Sequence, residues 1–281
     1  MRCGRLYPEI MNQHIAFIGG GNMASAIIGG LIKQGYSPSQ IDVVEPLAEA
    51  RERLQSSYAV IAQAEPGGFL KRANLVIWAV KPQTFKDAAL QVRSHTQSAL
   101  HLSVAAGIRS DSIAHWLGTE RIVRAMPNAP ALIGKGIAGL FARLAVTDSD
   151  KDWIGQVMAT TGEFLWLDAE EKLDAVTALS GSGPAYVFYL MEAMTTAGAE
   201  MGLTREQAHK LAVATFTGAS ELAQTSSESP KVLRQRVTSK GGTTFAAISS
   251  MDDDDLQAQF INAIYAARRR AQELGDEFGG A

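Results

Sequence analysis

Cysteine is almost missing from this chain: of 281 residues, only Cys3 carries a thiol. That excludes an intrachain disulfide framework and any cysteine-ligated metal centre. Long apolar runs are missing too, none reaching the ~18 residues of a membrane-spanning helix. Neither sign of charge is in large excess. The formal net charge is −3, which gives no electrostatic reason to expect nucleic acid or an acidic membrane surface as a partner. There is no H-E-x-x-H, no nucleophile elbow and no pair of suitably placed metal ligands, so no metal is expected. The five histidines, His14, His95, His101, His115 and His209, flank strands or fall on helical segments. A histidine general acid in a strand-end loop is therefore not expected. The first thirteen residues, MRCGRLYPEIMNQ, lack the apolar centre of a signal peptide, and a cytoplasmic location is expected. Residues 1–12 read as an N-terminal extension, and residues 1–10 as a dispensable part of it, because Met11 lies only four residues before the first strand residue, Ile15.

What is present is an ordinary globular composition, 46% hydrophobic and 20% charged, long enough for two domains. The apolar run from Ile15 ends in Gly19-Gly20-Gly21-Asn22-Met23-Ala24, and a helical pattern follows. This is G-x-G-x-x-A between a strand and a helix, the context of a dinucleotide-binding turn. Gly19 allows the tight turn, Gly21 lets backbone approach a pyrophosphate, and Ala24 lets the helix lie close on its strand. The helix N-terminus offers free N–H groups to the phosphates. A second strand, Ile41–Glu45, places Glu45 where a carboxylate accepts hydrogen bonds from the adenosine ribose hydroxyls. That favours NAD over NADP, because a carboxylate repels the 2′-phosphate. Arg51 and Arg53 on the next helix are in range of such a phosphate, although a solvated helix face is the plainer reading.

Further strands are expected near 59–62, 75–80, 100–106, 121–126, 137–141 and 163–167, alternating with helices, which predicts βαβ units and a parallel sheet. Ligands of such sheets lie beyond the carboxyl ends of the strands; Lys81-Pro82, Ala106-Gly107 and Met126-Pro127-Asn128 all fall there. From Glu170 the pattern becomes purely helical, giving a division into residues 13–168 and 169–281. Asp252–Asp255 are read as the start of the last helix and Arg268–Arg270 as lying toward its end, both runs compensating the helix dipole.

A dinucleotide-binding chain without an obvious acid or metal points to a substrate that is already an electrophile, such as a protonated imine. Ser239-Lys240-Gly241-Gly242-Thr243-Thr244 is a second glycine turn before a helix. It reads equally as a site for a small carboxylate, with a threonine hydroxyl as extra donor, or as a helix start using glycine for its geometry. Ser180–Tyr186 is a similar small-residue turn, open to the plain reading of a tight helix crossing. Tyr186 and Lys81 are the only obvious proton carriers nearby.

Five segments, Phe17–Ala24, Ala79-Val80-Lys81-Pro82, Arg124–Pro130, Leu179–Tyr186 and Val237–Thr244, occur in an order that closely resembles the pyrroline-5-carboxylate reductases, the last enzymes of proline biosynthesis. The resemblance covers residues 13 to 274. It implies an α/β fold: an N-terminal Rossmann-type parallel sheet domain followed by an all-α helical dimerisation domain. It implies reduction of (S)-1-pyrroline-5-carboxylate to L-proline by NADPH or NADH in a homodimer, extending in some members to a decamer of five dimers. By the same resemblance Gly19 to Ala24 hold the pyrophosphate and Ala79 to Pro82 lie beside the nicotinamide. Gly241 to Thr244 hold the substrate carboxylate and ring nitrogen, with Thr244 as the catalytic candidate. In that family, the loop and the cofactor domain come from different subunits. Two departures stand out: Lys240 replaces the family's usual proline, and Glu45-Pro46 stands where members preferring NADPH often carry an Asn-Arg or Ser-Arg pair. Two rivals remain. A β-hydroxyacid dehydrogenase would need a lysine on the long helix over 184–201, which has none. A non-catalytic dinucleotide sensor would need no second anion site.

Overall fold

The computed structural model describes residues 12–279; the expected dispensable extension lies outside the described residues. β1 (Ile15–Ile18) leads through the glycine turn into α1 (Asn22–Lys33), followed by β2 (Ile41–Val44), α2 (Ala48–Tyr58) and the two-residue β3 (Ala62–Gln63). β4 (Leu75–Trp78), α3 (Pro82–Val92), β5 (Leu100–Ser103), α4 (Ser110–Leu117) and β6 (Ile122–Met126) continue the alternation. β7 (Gly136–Ala142), α5 (Asp148–Ala159) and β8 (Gly162–Trp166) complete one eight-stranded sheet in the order β3-β2-β1-β4-β5-β6-β7-β8.

Period-two alternation divides the side chains of the central strands between two cores. Ile15 and Phe17 of β1 and Leu75 and Ile77 of β4 face one core, with α1, α2 and α5 packed on it. Ala16, Ile18, Val76 and Trp78 face the other, under α3 and α4. Both faces are covered, so these strands read as unbroken apolar runs. Each large side chain buried this way contributes about 1.5–3 kcal/mol.

Two expectations about the sheet are corrected. Its last strands are not all parallel, since β7 runs antiparallel to β6. Only a short 3-10 turn, Ala129–Ile133, joins these strands, and a parallel crossover needs a dozen or more residues and usually a helix. β8 returns to a parallel pairing with β7 after α5. The third strand forms at 62–63 and not over 59–62, because Ala59 caps α2 in the left-handed region (φ 56°) and the chain has not yet left the helix.

The rest is helical: α6 (Lys172–Val176), a π-helical turn Thr177–Gly181, α7 (Gly183–Glu200), α8 (Arg205–Thr225), α9 (Pro230–Arg236), α10 (Thr243–Asp253) and α11 (Leu256–Phe278). The small-residue segment at 180–186 leads, as expected, into a long helix, and the turn before it is π-helical, ending at Gly181. Chain contacts define two compact units, Gly183–Ala266 on its own and the remainder, which includes the residues from Ala267 onward. The compact boundary thus falls later than the change in secondary structure near residue 168. Within the helical unit α7 and α8 pack at Gly198, where a β-carbon would come within 2.7 Å of the Ala208 methyl. Within the other unit the end of α11 docks beside α4, with Arg109 bonded to Asp276 at 3.0 Å and the Ser112 hydroxyl donating to the Gly279 carbonyl at 2.9 Å.

The acidic run is placed differently from expectation, and the basic run, though toward the end of the last helix as expected, does not compensate its dipole. Asp252 and Asp253 end α10, Asp255 takes a positive φ of 52°, and α11 starts only at Leu256 with no acidic residue in its first turn. The run makes a corner that aspartate tolerates better than most residues. Arg268–Arg270 lie toward the end of α11 but outside its last turn, which holds no basic residue; Arg270 pairs with Glu273 and Glu277 on the same helix, at 3.0 and 2.7 Å. No helix among the described residues is long and apolar enough to cross a membrane.

His101 is not beside a strand but inside β5, 1% exposed. The Trp78 indole N–H donates to its Nδ1 at 3.1 Å, and its Nε2 lies 3.3 Å from the Thr96 carbonyl. This pattern fits the neutral ring protonated on Nε2. Burial, aided by the Arg121 charge, pushes the imidazole down from 6.5 to about 4. Between these values the unfolded chain binds a proton that the native chain refuses, so stability is complete above pH 6.5 and is lost as pH falls toward 4. The loss amounts to at most about 3 kcal/mol. Urea-unfolding midpoints across that range are expected to fall more steeply for the wild type than for His101→Gln; parallel profiles would refute this role for His101.

Candidate active site

The carboxyl ends of β1, β2 and β4 converge. Gly19 has φ +96°, and a β-carbon there would lie 2.6 Å from the Ala79 carbonyl oxygen, so only glycine fits. Its N–H donates to the Val44 carbonyl at 2.8 Å, and the Ala79 N–H donates to Ile18 at 2.8 Å, which ties the three strand ends together. Gly21 is the N-cap of α1 and offers no side chain to its first turn. A β-carbon on it would meet nothing within 4 Å. The N–H groups of Asn22, Met23 and Ala24 have no partner within the helix and lie at the positive end of its dipole, where an anion is favoured. Ala24 is fully buried, allowing the close packing of α1. This uncapped cradle fits a dinucleotide pyrophosphate.

Glu45, one residue beyond β2, is 8% exposed. Its Oε2 accepts the Gly20 N–H at 2.7 Å and its Oε1 the Leu47 N–H at 2.8 Å. Arg51 is turned back onto the chain, its Nη1 donating to the carbonyls of Glu45 (2.9 Å) and Pro46 (2.6 Å). Val80 is half-buried, Lys81 is exposed and forms the N-cap of α3, and Pro82 occupies its first turn. The structure thus brings Gly19 to Ala24, Glu45 and Ala79 to Pro82 together around one crevice.

Gly241 to Thr244 belong to the other compact unit. Gly241 has φ +76°, and the Gly242 N–H donates to Ser239 at 3.0 Å, closing the turn. Gly242 is the N-cap of α10 and, like Gly21, supplies no side-chain cap. Thr243 and Thr244 open the helix, the first exposed and the second half-buried, and Lys240 is exposed beside them. Tyr186 meets Phe260 edge-on at 5.8 Å in the same unit.

Two supporting interactions, made by residues of the Arg124–Pro130 segment, were not foreseen in the sequence. Asn128 braces the π-helical turn, its Oδ1 accepting from Ile137 at 3.0 Å and its Nδ2 donating to the Ser180 carbonyl at 3.2 Å. Arg124 of β6 pairs with Glu170 at 2.6 Å, and Glu170 also accepts the Ser110 N–H at 2.6 Å. An arginine inside the apolar strand Ile122–Met126 was the signal for the second. No group of three or more His, Cys, Asp or Glu among the described residues is arranged to hold a metal ion.

Comparison with known proteins identifies the family of the chain. A family described as pyrroline-5-carboxylate reductase dimerisation matches residues 170–274, and one described as NADP oxidoreductase coenzyme F420-dependent matches residues 14–107. A pyrroline-5-carboxylate reductase of Pseudomonas aeruginosa is 43% identical over 267 residues, covering 94% of this chain and 98% of that relative. The solved structure of a pyrroline-5-carboxylate reductase from Coxiella burnetii has TM-score 0.87 at 38% identity, over 93% of this chain and 98% of its own. That of the Plasmodium falciparum pyrroline carboxylate reductase with NADP bound has TM-score 0.85 at 25% identity, over 94% and 99%. At such identity over nearly its whole length, the chain belongs to the pyrroline-5-carboxylate reductase family.

Proposed function

We propose that this protein reduces (S)-1-pyrroline-5-carboxylate to L-proline with NADPH or NADH, as the last step of proline biosynthesis in the cytoplasm. The observation that carries this reading is the uncapped N-terminus of α1 at Gly21, set where three strand ends meet, in a chain of this family. The nicotinamide supplies the hydride for the C=N carbon, and a proton completes the amine. The amides of Asn22 to Ala24 hold the pyrophosphate, and Ala79 to Pro82 flank the nicotinamide. In the Gly241 to Thr244 turn, the uncapped amides of Thr243 and Thr244 hold the substrate carboxylate, and the Thr244 hydroxyl is the donor toward the ring nitrogen. In this reading residues 13–168 are the dinucleotide-binding domain and residues 169–281 the dimerisation and substrate domain.

The helical unit leaves Phe188, Tyr189, Met201, Phe245, Phe260 and Tyr265 exposed, Tyr189 by 73% and Met201 by 79%. Apolar surface of that extent calls for a partner, and a match to a dimerisation family makes a second copy the natural one. A homodimer is the proposed working unit, with a decamer of five dimers as a further stage.

The direct test is nucleotide oxidation by the purified protein with and without pyrroline-5-carboxylate; no substrate-dependent oxidation of NADPH or NADH would overturn the assignment. Thr244→Ala is expected to lower kcat by roughly a hundredfold with nucleotide affinity unchanged. Gly21→Val should do the reverse, weakening nucleotide binding by about tenfold or more at little cost in Tm, because its side chain enters open space in the free protein. Sedimentation should report a dimer or a larger assembly that Tyr189→Asp weakens; a wild-type monomer at micromolar concentration would remove the proposed partner.

A further inference from the structure

Glu45 and Arg51 are both committed before any nucleotide arrives. The two carboxylate oxygens of Glu45 each hold a main-chain N–H, from Gly20 of the glycine turn and Leu47 of the β2–α2 connection. Charge-assisted bonds of this kind are short and directional. Swinging the side chain out would leave the Gly20 N–H, on a buried residue, without its partner, which is costly. Glu45 is therefore a fixed negative charge. It stands at the end of the second strand of a β1–turn–α1–β2 arrangement, where the 2′ position of the adenosine ribose is met. Each oxygen retains a lone pair that can accept a ribose hydroxyl, but both repel a phosphate.

Where a 2′-phosphate is accepted, a nearby cation has to balance it. Arg51 is the nearest candidate on α2, but its Nη1 is held by the Glu45 and Pro46 carbonyls. Resting on the dinucleotide-binding role of this crevice, we propose that Glu45 makes the enzyme select NADH over NADPH. The selection is exclusion: the carboxylate rejects the phosphate and accepts the hydroxyl. Like-charge juxtaposition is unfavourable, and a preference of at least roughly tenfold, about 1.4 kcal/mol, is the expected size.

The test measures Kd for NADH and NADPH by nucleotide fluorescence without pyrroline-5-carboxylate, then kcat/KM with it. The wild type is expected to bind NADH at least about tenfold more tightly and to show the same bias in kcat/KM. Glu45→Ser should shrink or reverse the Kd ratio. Because Glu45 also braces the glycine turn, Glu45→Gln, which keeps the size and removes the charge, should move the ratio the same way. Wild-type protein that binds NADPH as tightly as NADH overturns the proposal, as does a ratio unchanged in both variants. If Arg53→Ala abolished a wild-type preference for NADPH, the exposed Arg53 on α2 would be the phosphate partner, and Glu45 would not be the selector. Clear NADH selectivity in binding without reduction of pyrroline-5-carboxylate would leave this inference standing and remove the proposed reaction instead.

Discussion

The Ala79 carbonyl occupies the space that a side chain at Gly19 would need, and the rest of the crevice depends on this contact. It sets how closely the end of β1 approaches the end of β4. Both strands are already fixed by burial on two faces, with Ile15, Phe17, Leu75 and Ile77 in one core and Ala16, Ile18, Val76 and Trp78 in the other. The sheet supplies the rigidity, and the glycine turn converts it into a defined position for the first turn of α1. A methyl group at residue 19 would push apart elements that the two cores hold together.

The two glycine turns show how the same backbone chemistry is used twice in one chain. Gly21 and Gly242 both cap helices without donating a side chain, so each leaves main-chain N–H groups available to an anion. They lie in separate compact units, one built on a sheet covered on both faces and the other on helices that leave large aromatic and aliphatic side chains uncovered.

What could be read from the sequence was mostly local. Gly19 to Ala24 announce their turn because a tight strand-to-helix connection imposes residue types at fixed spacing, and the strand at 75–78 because burial on both faces demands an apolar run. The direction of β7 was not legible, because it follows from the lack of a helix between Met126 and Gly136, an absence that periodicity does not score. Asp252 to Asp255 misled because an acidic run suits the start of a helix, whereas here Asp255 turns a corner with a positive φ. Glu45 was legible as an acid at a strand end but not as the partner of Gly20, since a hydrogen bond spanning 25 residues leaves no local trace. The pairing of Arg124 with Glu170 is hidden for the same reason.

α11 has a consequence for how the chain is made. It starts in the helical unit, yet from Ala267 onward it belongs to the unit that begins at the other end of the sequence. The sheet-containing unit is therefore discontinuous: Leu274, which lies against Gly107, and Asp276, which pairs with Arg109, are translated after all of residues 183–266. On the ribosome that unit has to wait for the entire helical segment to emerge before its surface beside α4 is covered. Its completion, unlike that of a domain encoded in one piece, is coupled in time to synthesis of the segment that leaves Phe188, Tyr189 and Phe260 exposed.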